Sequence, residues 1–212
     1  MQVRNWLARW LTRGYVRTLD FGGVSREETY RASGEERQVF WVDAEKWPAA
    51  GQCTLFGTIV LNEDRLGDVP DKVVDYVFLH EVGHTKPPTI LNLLSILVRI
   101  PLGFLAIFGV PVLIGRWLGF VLSAPDLDQF TMFSVATVIG ILLILVPLVV
   151  IWWLDEGYAD LFVVSKIGTH AYRHRYDKMN DHADRGLIGR FIRWLLYPDS
   201  DHVVWVANRR GD

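Results

Sequence analysis

The chain has 212 residues, half of them hydrophobic, with a formal net charge of −2. That length buries one modest core, and neither the charge nor any aromatic-basic motif points to nucleic acid. A single cysteine, Cys53, excludes an intrachain disulfide and a thiolate metal cluster.

At the start, Val3, Trp6, Leu7, Trp10 and Leu11 recur at helical spacing, with Arg4, Arg9 and Arg13 elsewhere on the wheel. Residues 1–18 read as an amphipathic interfacial helix in a headgroup layer; the same stripe also suits a helix docked on the protein's own core. The arginines interrupt any apolar run, so no cleavable signal peptide is expected. Residues 19–88 combine a small sheet with a helix. Gln38 to Asp43 and Thr54 to Asn62 are rich in β-branched and aromatic residues, punctuated by Ser33-Gly34, Pro48 and Gly51.

Pro70 then signals a helix start, and the helix runs into His80-Glu81-Val82-Gly83-His84. Residues i and i+4 share a helical face, so His80 and His84 can bind one metal ion, and Glu81 is placed to deprotonate a water on it. A surface helix with two solvated histidines would carry the same letters.

Two apolar blocks follow. Ile90 to Leu122 is interrupted by Arg99 and Arg116, and it reads as a first transmembrane segment at 89–123, spanning from about Arg99 to Leu122. A re-entrant hairpin around Gly109-Val110-Pro111 is the alternative. Phe130 to Leu154 holds 25 residues without a charge and forms the second segment, 130–154. Two spans return His84 and Glu156 to one side of the bilayer. The loop Ser123 to Gln129 lacks Lys and Arg, whereas Lys72, Lys86, Lys166, Arg173 and Arg175 flank the pair. Both termini and the site are therefore expected to be cytoplasmic.

Residues 155–212 supply the second half of the site. Glu156 offers a third ligand, and Asp160, four residues on, can hydrogen-bond a ligating histidine and fix its tautomer. His170 and His174 repeat the i, i+4 spacing without an adjacent glutamate. A last apolar stripe, Leu187, Ile188, Phe191, Ile192, Leu195 and Leu196, ends at Pro198.

His80-Glu81-Val82-Gly83-His84 followed, beyond apolar spans, by Glu156-Gly157-Tyr158-Ala159-Asp160 resembles the gluzincin metallopeptidases, and among them the membrane-embedded HtpX and CAAX-prenyl endopeptidase family. The resemblance implies a mainly α fold with a small β-sheet (α+β), built as an integral membrane metallopeptidase with a two-span hairpin. It implies one Zn2+ per chain on His80, His84 and Glu156, with Glu81 as catalytic base and Asp160 supporting the first histidine. Further implications are an edge strand that binds extended substrate, assigned to Thr58, Ile59, Val60, Leu61 and Asn62, and an oxyanion stabiliser among His170, Tyr172 and Arg173. The expected substrate is a membrane or membrane-associated polypeptide, cut at the cytoplasmic face beside the lipid bilayer. The family usually carries spans ahead of the motif helix, and this chain would be a minimal member. Two alternatives stay open. Leu154-Asp155 resembles the aspartate ligand of site-2-type intramembrane proteases, and a closed zinc site with a fourth ligand from Asp155, His170 or His174 would make a non-catalytic scaffold.

Overall fold

The computed structural model describes residues 2–18, 23–45, 47, 49–54, 57–86, 89–123, 126–182 and 193–211. Pro48, two residues of the expected strand (Leu55 and Phe56), and Leu187, Ile188, Phe191 and Ile192 of the last stripe lie outside them. The chain divides into two compact units, one comprising Met1–Pro87, Glu156–Trp194 and Pro198–Asp212, the other Pro88–Asp155 and Leu195–Tyr197. The architecture is mainly helical with one small mixed sheet, as the sequence implies.

The first unit opens with α1 (Gln2–Thr18), followed by β1 (Val24–Ala32) and β2 (Glu35–Val42). Ser33 and Gly34 both take positive φ, the backbone that joins twisted antiparallel strands by a two-residue turn. The long strand expected over Thr54 to Asn62 is instead part of a second hairpin. β3 (Gly51–Cys53) turns back at Thr54 and Gly57, where the Gly57 amide donates to Thr54 O at 2.9 Å, and returns as β4 (Ile59–Asn62). The sheet order is β1-β2-β4-β3, with β2 and β4 parallel. β4 therefore lies between two strands, and Thr58 to Asn62 is not a substrate edge; the edges are β1 and β3.

The pleat sends alternate residues to opposite faces. Phe40, Val42 and Val60 pack with Val16 of α1, while Val39, Trp41, Ile59 and Leu61 face a larger core. At the centre of that core runs α3 (Asp71–Gly83), preceded by the single turn α2 (Glu63–Leu66). Val73, Val74, Tyr76, Val77, Phe78, Leu79 and Val82 cover its circumference and are all buried. A helix apolar all round belongs inside a protein, so the motif is not on a surface helix. The C-terminal part of α6 (Leu127–Ile167), with α7 (Thr169–His182) and α8 (Ser200–Arg210), completes the core through Val163, Val164, Tyr172, Tyr176, Val203 and Ala207.

The second unit holds α4 (Thr89–Phe104), a π-helical turn at Leu105–Gly109, α5 (Val110–Leu122) and the first part of α6. Pro111 cannot donate to the helical ladder, and the wide turn just ahead absorbs that defect. Helical backbone continues through Gly109 and Val110, so no re-entrant hairpin forms there. α5 and α6 run antiparallel. Phe120 meets Phe133 at 4.4 Å between ring centroids, Trp117 Nε1 donates to Ser134 Oγ at 2.9 Å, and Gly140 admits Leu113. Leu97–Leu122 and α6, 26 and 41 residues long, are both long and apolar enough to cross a membrane. Their large side chains face outward, Leu143 being 68 % exposed.

Candidate metal centre

Two helices bring the chemistry together within the first unit. α3 contributes His80 and Glu81, with His84 at its C-cap, and α6 contributes Glu156 and Asp160, again at i, i+4 spacing. Their close approach depends on Gly83. A Cβ there would stand 2.7 Å from Ala159 Cα and 2.8 Å from its carbonyl oxygen, so only glycine lets the helices touch at this level.

His80 Nε2 lies 3.1 Å and His84 Nε2 3.9 Å from Glu156 Oε2. Among the described residues, His80, His84 and Glu156 are the group whose ligand atoms, all within 4.8 Å of one another, could hold a metal ion. Nitrogen and oxygen donors arranged tetrahedrally about one zinc lie about 3.3 Å apart, so the donor set fits such an ion with small side-chain adjustment. The electrostatics point the same way. Glu156 and Asp160 are buried carboxylates beside the two histidines, and buried negative charge calls for a compensating cation.

The aspartate is the most heavily bonded group in the site. Asp160 is 2 % exposed; its Oδ1 lies 2.9 Å from His80 Nδ1 and accepts from Tyr76 OH at 3.2 Å, and its Oδ2 accepts from Tyr172 OH at 3.0 Å. Burial favours neutral His80, but Asp160 and Glu156 outweigh it and hold the imidazole's pKa well above the ordinary value. A bound cation would take over the Nε2 position, leaving Nδ1–H directed at Asp160. Burial of Tyr76 and Tyr172, with the nearby Asp160 charge, raises both phenol pKa values, so both remain hydrogen-bond donors.

Glu81 stands apart from this network. Burial pushes its carboxyl above the ordinary glutamate value, opposed by the two histidines and by a hydrogen bond from the Cys53 backbone. The edge strand β3 presses closely here, since a Cβ on Gly51 would lie 3.1 Å from Glu81 Cγ.

Other expected site residues go elsewhere. Asp155 Oδ2 pairs with Arg99 at 3.1 Å within the second unit, and that guanidinium also donates to Ile151 O at 3.2 Å. Asp155 is thus engaged by a cationic side chain and is not among the converging donors. Tyr172 is fully buried with its hydroxyl committed to Asp160, so it is not an oxyanion stabiliser. Arg173 is exposed and paired with Asp201, and His170 and His174 are exposed and outside the donor group. Sequence reasoning missed Tyr76, although Tyr76, His80 and His84 form one i, i+4 series and so share a face. It also missed Gly83 and Gly51, whose importance is a matter of tertiary approach.

No family model, curated protein or solved structure matches the chain.

Proposed function

We propose that the protein is a membrane-bound, zinc-dependent endopeptidase acting on membrane or membrane-associated polypeptides at the cytoplasmic face. The observation that carries this reading is the convergence of His80, His84 and Glu156 from two helices, with Glu81 one residue beyond the first histidine. Among the described residues three ligands converge, which leaves an open position as catalytic sites require, whereas structural zinc sites use four protein ligands. His80, His84 and Glu156 would hold the zinc ion, which when bound would supply a Lewis acid to polarise a scissile carbonyl and make a water more acidic. Glu81 accepts the proton of the attacking water and delivers it to the departing amine nitrogen, so the peptide bond is exchanged for a carboxylate and a free amine. The edge strand beside Glu81 is β3, and Gly51 to Cys53 replaces Thr58 to Asn62 as the strand on which an extended substrate would lie.

The test is purified protein in lipid with a membrane-protein or casein substrate. Cleavage should require the metal and stop with chelator. Glu81→Gln should lose cleavage while still binding zinc, and His80→Ala should lose the metal. Zinc binding with undiminished cleavage in Glu81→Gln ends the peptidase reading. Zinc binding with no cleavage by the intact chain leaves a metal-stapled helix pair instead.

A further inference from the structure

Helix α1 carries apolar residues on two faces, and among the described residues only one of them is packed against the rest of the protein. Its inner face holds Thr12 and Val16, both fully buried. Val16 joins Phe40, Val42 and Val60 beneath the sheet. Thr12 Oγ1 lies 2.6 Å from Thr58 Oγ1, which is itself 2.6 Å from Thr54 Oγ1, and Gln52 Nε2 donates to Tyr15 OH at 2.7 Å. These bonds fix the helix about its own axis. The sequence stripe is not the docked face: Trp6 is 65 % and Trp10 62 % exposed, and Leu7 is exposed beside them. At about 100° per residue, Trp6, Trp10 and Arg17 fall within a sector of about 40°, centred about 120° from Thr12 and Val16.

Charge identifies what covers this face. α1 holds Arg4, Arg9, Arg13 and Arg17 and no acidic residue. Arg9 and Arg13 share the single carboxylate of Glu27, which leaves the helix strongly cationic. Tryptophan beside arginine is the composition of a helix lying at a membrane–water interface, where indole sits among the headgroups and guanidinium meets lipid phosphate. We propose that the Trp6, Trp10 and Arg17 face of α1 seats in the headgroup layer of an anionic bilayer. Because α1 is bonded to β3 and its turn, and β3 meets Glu81, this contact ties the strand beside the candidate base to the lipid surface.

The proposal rests on the membrane reading of the apolar helices and not on peptide hydrolysis, and the experiment separates the two. The full chain carrying Cys53→Ser is spin-labelled in turn at Trp10→Cys and at Ile139→Cys, on the outward face of α6, and reconstituted in phosphatidylcholine with or without phosphatidylglycerol. At position 10, accessibility to oxygen relative to a water-soluble nickel chelate should exceed the aqueous value at least threefold and rise with phosphatidylglycerol content. An aqueous value at 10 with a hydrocarbon value at 139 overturns the lipid contact while keeping the spans. Aqueous values at both positions overturn the membrane reading and this proposal with it. Spin–spin broadening at position 10 that persists on dilution with unlabelled lipid would assign the face to a second copy of the chain, and also overturns it.

Discussion

α6 passes through two kinds of surroundings, and its two ends are built on opposite plans. From Met132 to Leu154 its large apolar side chains face outward, while small or polar residues such as Ser134 and Gly140 meet α5. From Glu156 onward the pattern inverts, with Ala159, Asp160, Val163 and Val164 buried and Ser165 and Lys166 outside. Asp155 and Glu156 stand at the changeover. They are adjacent acids with the same intrinsic chemistry, yet one answers Arg99 and the other answers two histidines. About 100° of helical rotation separates their fates, and neighbouring elements decide which acid can serve a metal.

Breaking that contrast should give the largest effect. Glu156→Ala should weaken zinc binding by at least a hundredfold in chelator competition, whereas Asp155→Asn should change it less than about threefold and instead loosen the apolar unit. Equal losses from both would erase the distinction. Gly83→Ala tests the contact that creates the site. Overpacking against backbone should cost about 1–3 kcal/mol, read as a lowered melting temperature, together with weakened zinc binding. Gly115→Ala, which meets nothing within 4 Å, should leave both nearly unchanged.

Smaller effects sharpen the comparison. Tyr172→Phe keeps the ring and removes one of the hydrogen bonds to Asp160, so zinc affinity should fall about tenfold with little change in fold. Zinc affinity should also drop as pH falls, because Asp160 and Glu156 favour a proton on His80 that the ion must displace. Titration calorimetry in buffers of differing ionisation heat should detect the released proton. The mildest change is Glu35→Gln. Glu35 bridges Lys86 and Lys166 at 2.9 Å each, and although its burial acts to raise its pKa, those lysines hold it below the ordinary value. The folded state thus gains from the charged carboxylate above the unfolded pKa and loses that gain on acidification. The variant should be less stable by about 1 kcal/mol near neutrality. The difference should shrink below about pH 4 in denaturant titrations.

Much of the candidate site was legible because it is written in local periodicity. The spacing of His80, Glu81 and His84, and of Glu156 and Asp160, needs only a helix to be interpreted, and two long apolar stretches need only a length. What stayed hidden depends on distant pairing. β1 was missed because Arg26, Glu27 and Glu28 make it look like a polar loop, and only β2 turns that segment into a strand. β4 was mistaken for an edge because a sequence does not state the order in which strands lie side by side. Tyr172 looked like a catalytic donor until α7 packed it against Asp160.

The glycine beneath the motif has a genetic consequence. Because the obstruction at position 83 comes from the main chain of Ala159 and not from its methyl group, trimming that partner to glycine would restore no room. A suppressor screen begun from Gly83→Ala should therefore yield true revertants or distant compensators, and none at codon 159.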